Sequence, residues 1–170
     1  MPIPRLPALG RRSLILGGAA ALAAPAVARA ADSSAPGGST IRLVARPGRA
    51  PLAGPPHPET AVWGYDGRVP GPEIRVRQGD RLRVLLENRL PQETTIHWHG
   101  LRVPNAMDGV PHLTQPPIAP GGIFAYEFEA TDAGTYWYHS HVRSLEQVGL
   151  GLYGPLVVEE RDPPPTIDRD

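Results

Sequence analysis

The sequence predicts an all-β domain, a β-sandwich or Greek-key barrel of seven or eight short strands. Three observations carry this. Short runs that alternate apolar and polar residues recur along the chain, as in Glu73–Gln78 and Arg81–Asn88. Proline and glycine, 22 and 19 of the 170 residues, punctuate the intervals between them. Beyond the N-terminal leader, helix is expected only as a turn around Ser144–Val148.

Residues 1–30 read as an export signal. Arg11-Arg12-Ser13-Leu14-Ile15-Leu16 is a twin-arginine pattern, an apolar run from Leu14 to Ala28 follows, and Ala28-Arg29-Ala30 offers a small-x-small cleavage site. The run is shorter than the roughly 20 residues that span a bilayer, so no stable membrane anchor is expected. The twin-arginine route carries folded proteins, often with a cofactor loaded, and makes the periplasm the expected location. Residues 31–39 are a polar, Gly-rich arm.

The domain is expected over residues 40–161. Thr40–Ala45 is its first strand, followed by a Pro/Gly-rich loop over Arg46–Glu59 and a short strand over Ala61–Tyr65. Asp66-Gly67 and Val69-Pro70-Gly71-Pro72 are turns. Glu73–Gln78 places Ile74 and Val76 inward, and Arg81–Asn88 does the same with Leu82, Val84 and Leu86. A strand around Ile96–Gly100, a long loop from Leu101 to Gly122, and a strand over Ile123–Glu129 follow. Asp132-Ala133-Gly134 turns into a strand over Tyr136–His141, and Leu156–Glu160 is the last. Residues 162–170 form a proline-rich linker or tail.

Composition excludes several chemistries. With no cysteine, the chain has no disulfide framework, zinc ribbon, thiol nucleophile or thiolate copper site. Removal of the leader's four arginines leaves 13 arginines against 17 acids, a net of −4. An acidic domain has no electrostatic case for nucleic acid.

Four of the six histidines fall in two matched pairs, His97-Trp98-His99 and His139-Ser140-His141, each within a strand-like run. Alternate residues of a strand share a face, so each pair points one way, its rings about 7 Å apart. That spacing suits two neighbouring metals better than one clamped ion. Neutral imidazole without carboxylate favours copper or zinc. Convergence of the pairs at one exposed edge requires only that the two strands be neighbours. Trp98, Trp137, Tyr136 and Tyr138 are read as packing residues, and His57 and His112 as solvent-facing.

The sequence resembles a known family across residues 40–162. The matching text is Trp63-Gly64-Tyr65-Asp66-Gly67 with Pro70-Gly71-Pro72, Gln78-Gly79-Asp80, His97-Trp98-His99-Gly100, Met107-Asp108-Gly109, Thr114-Gln115, and Tyr136-Trp137-Tyr138-His139-Ser140-His141. These are similar to the N-terminal cupredoxin domain of multicopper oxidases, the laccases, bilirubin oxidase and bacterial copper-efflux oxidases among them. The resemblance implies a cupredoxin-like Greek-key sandwich and copper as the cofactor. It implies that His97 is a ligand of a type 2 copper, His99 and His139 of one type 3 copper, and His141 of the other. It casts Asp108 as the acid that supplies protons while dioxygen is reduced to water and a substrate is oxidised.

In that family a last domain contributes four further histidines and a cysteine-bearing type 1 site. Neither is present in this chain, so no turnover is expected of it alone. The partners implied are the missing C-terminal cupredoxin domains, or a complementary chain, and dioxygen. A stand-alone copper-binding protein without turnover is the alternative. A metal-free module of the same fold is disfavoured by four intact histidines. A cupin is disfavoured because Leu101–Met107 lacks the glutamate that follows its histidine pair.

Overall fold

The computed structural model describes residues 38–162. The export signal expected over residues 1–30 and the tail beyond Asp162 lie outside the described residues, as does the arm of 31–39 except for Gly38 and Ser39. Among the described residues no helix is long and apolar enough to cross a membrane.

Eight strands build two four-stranded sheets. The strands are β1 (Gly38–Ala50), β2 (Thr60–Tyr65), β3 (Ile74–Arg77), β4 (Arg81–Asn88), β5 (His97–His99), β6 (Ile123–Glu129), β7 (Gly134–His139) and β8 (Tyr153–Glu159). One sheet runs β2-β1-β4-β6 and the other β3-β8-β7-β5. The β1–β4 and β3–β8 pairs are parallel and the rest antiparallel, so the chain crosses between sheets. The single α-helix among the described residues, α1 (Ser144–Gly149), falls where a turn was expected.

Four strands have bounds that differ from the sequence reading. β1 continues to Ala50, through what reads as a loop. It changes partner at Ala45, pairing with β4 before that residue and with β2 after it. Its second half therefore has one neighbour only, a position where Pro47 is tolerated in a strand. β5 keeps only three ladder residues, and β7 starts at Gly134 and ends at His139, which leaves His141 just past it. β8 starts at Tyr153, inside a Gly-rich segment. Gly154 is needed there because a Cβ would sit 2.4 Å from the Tyr138 ring.

The core lies between the inner faces. Leu82, Val84 and Leu86 of β4 are fully buried, as their alternation predicts, and meet Tyr126, Phe128, Leu156 and Trp98. Trp98 ties the short β5 to the opposite sheet: its ring stands edge-on to Phe128 at 5.0 Å and to Tyr126 at 5.4 Å. Such aromatic pairs contribute about 0.5–1.5 kcal/mol each beyond area burial. The Tyr126 hydroxyl also accepts the Ile96 N–H at 2.8 Å. The histidine strand is thus fixed from below by its own middle residue and by the residue that precedes it.

Candidate metal centre

The antiparallel ladder sets His97 opposite His139 and His99 opposite Trp137. Opposed residues share a face, so the two pairs, distant in sequence, meet as predicted. The rings of His99, His139 and His141 lie 5.7, 5.4 and 5.3 Å from the ring of His97. His97, His99 and His139 each present a ring nitrogen within 4.8 Å of the others. His141 stands beside this triad, its ring 6.2 Å from that of His139.

Hydrogen bonds fix which nitrogen faces the centre. His97 Nδ1 lies 2.8 Å from the Asp108 carbonyl oxygen, which can only accept, so Nδ1 carries the proton and Nε2 is bare. His139 Nδ1 donates to the Ser140 carbonyl at 2.9 Å, which bares its Nε2. That Nε2 lies 3.3 Å from His99 Nδ1. His99 Nδ1 is the donor in this imidazole–imidazole hydrogen bond, and a cation bound by both rings would replace it once the His99 proton moves to Nε2. Oriented, neutral nitrogen donors without thiolate fit copper or zinc.

Burial around the centre is uneven. His99 is exposed and His97 and His141 are half-buried, but His139 is only 7% exposed. The expectation of one exposed edge is corrected at His139, on which Trp137 stacks at 4.0 Å. Burial pushes the His139 pKa below the ordinary imidazole range. The Ser140 carbonyl opposes this, and the His97, His99 and His141 rings add to it. His139 is therefore neutral, and able to ligate, at pH values where a free imidazole is protonated. The unfolded chain binds this proton more readily, so His139 contributes stability that is present above the ordinary imidazole pKa. That stability is lost as pH falls through the lowered one.

Asp108 stands at the triad's side, its Oδ1 3.3 Å from His97 Nδ1. A 3₁₀ turn over Asn105–Met107 delivers it, and Met107 Sδ accepts the Glu127 N–H of β6 at 3.4 Å. Gly109 then lays its backbone on β5: it adopts φ +77°, and a Cβ there would lie 1.8 Å from the Ile96 carbonyl oxygen. His57 and His112 are exposed, as the sequence reading has them.

The sequence model of the multicopper oxidase family matches residues 50–163. The chain belongs to the multicopper oxidase family. It is 47% identical over 104 residues to copper resistance protein A of Pseudomonas syringae pv. tomato, which covers 61% of this chain and 17% of that protein. It is 48% identical over 97 residues to laccase-1 of Botryotinia fuckeliana, covering 55% of this chain and 17% of the laccase. Among solved structures, a multi-copper oxidase from Pseudomonas thermotolerans superposes with a TM-score of 0.71 at 52% identity, covering 74% of this chain and 30% of that one. The blue copper oxidase of Nitrosomonas europaea gives 0.70 at 40% identity, covering 75% and 41%. The fold is therefore the cupredoxin-like sandwich of multicopper oxidases, and the chain spans a minor part of each relative's length.

Within this multicopper oxidase domain the aromatic residues divide. Trp98 and Tyr138 are buried packing residues, as expected, and Tyr136 is half-buried. Trp137 is not a core residue: it is 37% exposed and lies on the histidine face, 4.9 Å from the His99 ring and stacked on His139. Its position two residues before His139 carries that signal, since such residues share a strand face. The sequence reading also missed Thr94, Ser140 and Gln147, a buried polar cluster at the ends of β5 and β7. Nothing in a lone glutamine on a short helix marks it in sequence.

Proposed function

We propose that this chain is the N-terminal domain of a periplasmic multicopper oxidase, supplying His97, His99, His139 and His141 to a trinuclear copper cluster. The observation that carries the reading is the approach of His99 Nδ1 to the bare Nε2 of His139, 3.3 Å apart beside His97. In this reading His99 and His139 hold one type 3 copper, His141 the other, and His97 the type 2 ion. Bound copper would supply the one-electron steps that reduce dioxygen to water. The chain's own part is to hold the imidazoles aimed, with His139 kept neutral by its burial, and to bring an acid to their edge. Asp108 fits that acid: its carboxylate is half-buried beside His97 and within reach of a proton bound for the centre. The half-cluster needs the complementary cupredoxin domain, with its four histidines and type 1 copper, as partner.

His139→Ala tests the site. Copper titration of the full chain, followed by electron paramagnetic resonance, is expected to show affinity reduced more than about tenfold. Combined with a polypeptide bearing the complementary histidines, the variant is expected to take up no oxygen while the partner's blue type 1 copper persists. Unchanged copper binding would overturn the site. Copper binding without oxygen uptake by the unsubstituted combined protein would favour a stand-alone copper-binding role.

Location has its own test. Replacing Arg11 and Arg12 by lysine is expected to leave the precursor in the cytoplasm. Undiminished recovery of mature protein from the periplasm would reject the twin-arginine route.

A further inference from the structure

Gln147 is the one fully buried residue of α1, and every polar atom of its side chain is used. Its Oε1 accepts the Ser140 hydroxyl at 2.5 Å and the Thr94 hydroxyl at 2.9 Å. Its Nε2 donates to the Glu93 carbonyl at 2.8 Å and to Gln92 Oε1 at 3.3 Å. The amide cannot be reversed, because its oxygen would then face the Glu93 carbonyl, an acceptor against an acceptor.

These contacts fall at a particular place. The β5–β7 ladder is three residue pairs long, from His97↔His139 to His99↔Trp137. Beyond it, toward His141, the two chains have no ladder to hold them. Thr94 and Ser140 are the residues that face each other there, their hydroxyls 3.2 Å apart with Gln147 Oε1 against both. The same residue grips the backbone: its carbonyl accepts the Leu152 N–H at 3.0 Å, and the Leu152 carbonyl accepts the Ser140 N–H at 3.1 Å. Ser140 lies between His139 and His141, and its carbonyl is the acceptor that fixes the His139 tautomer.

We infer that Gln147 is a positioning residue for the histidine centre. It clamps the open end of the β5–β7 pair through Thr94 and Ser140, holds the Ser140 carbonyl under His139 Nδ1, and sets where His141 stands. It touches no histidine ring itself. The inference rests on the copper reading for its purpose, but the geometry it claims is measurable without metal.

The test compares Gln147→Met with Gln147→Glu in the full chain. Methionine matches the length and offers no acceptor of comparable strength. Glutamate keeps an acceptor for both hydroxyls and loses the amide donors. Both are expected to lower Tm, since both leave Glu93 and Gln92 without their donor. Only Gln147→Met is expected to turn the single His139 Nδ1–H tautomer into a mixture, read by long-range proton–nitrogen correlation on the metal-free protein, and to weaken copper binding about tenfold. Ser140→Ala removes one hydroxyl, leaves the carbonyl in place, and is expected to disturb the same tautomer should Gln147→Met not fold. Leu145→Ala, on the exposed face of the same helix, is expected to change nothing. A wild-type His139 tautomer in folded Gln147→Met or in Ser140→Ala would overturn the proposal, as would equal tautomer loss in Gln147→Glu and Gln147→Met. If the unsubstituted chain combined with the complementary polypeptide binds no copper, the oxidase reading fails while the tautomer comparison still decides the role of Gln147.

Discussion

Gly109→Ala is expected to strip the His97 side of the centre of its copper affinity while leaving the β-sheet spectrum intact. The glycine sits at φ +77°, where a side chain is strained by roughly 1–2 kcal/mol. The added Cβ would lie 1.8 Å from the Ile96 carbonyl oxygen and 3.0 Å from the His97 nitrogen. Both are backbone atoms, so no side chain can swing aside. Either the Met107–Gly109 turn lifts off β5 or β5 shifts, and both movements carry the Asp108 carbonyl away from His97 Nδ1. With that acceptor gone, His97 no longer keeps its proton on one nitrogen, and copper affinity is expected to fall tenfold or more. Far-ultraviolet dichroism and copper titration on the same sample check this. Wild-type affinity in the folded variant would show that the turn does not orient His97.

Val84→Asp is expected to prevent folding. Val84 is fully buried at the middle of β4, opposite Tyr126 on β6 and Ile41 on β1. A carboxylate there finds no cation or donor, and the cost is roughly 4 kcal/mol or more, among the largest single-residue effects. A domain's whole margin is about 5–15 kcal/mol. Arg83→Asp, one residue earlier, points the other way and is half-exposed. It loses a loose 3.8 Å ion pair with Glu127 and sets two acids side by side, which costs about 1 kcal/mol or less. Urea unfolding of the two variants separates them; equal behaviour would mean that the inward phase of β4 is wrong.

That phase was legible because β4 alternates from Arg81 to Val84 and buries one face only, so periodicity and burial coincide there despite Leu85 on the outer face. The second half of β1 was not legible, because Pro47 and Gly48 argue for a loop. What makes it a strand is β2, whose register with it no local pattern encodes. At the centre, the pairing within each His-x-His motif follows from the two-residue period of a strand. The meeting of the two motifs depends on the sheet order β8-β7-β5, which periodicity cannot provide. The low exposure of His139 depends on Trp137 lying across it, and the tautomers depend on two carbonyls placed by loops. Each of these is a tertiary fact, and the cluster around Gln147 is another.

The close contact of Gly109 has a consequence for aggregation. β5 is the last strand of its sheet, and a free edge displays unpaired N–H and C=O groups that can recruit another chain. Here the edge is nearly closed. Just before β5, Thr94 exchanges both backbone hydrogen bonds with Ile118, and the Gly109 backbone covers Ile96 and His97. Only a short stretch of strand is left to template a neighbour. The turn that carries Asp108 to the histidines thus also blocks edge-to-edge growth of the sheet, so a domain with an open histidine face has little strand edge to polymerise along.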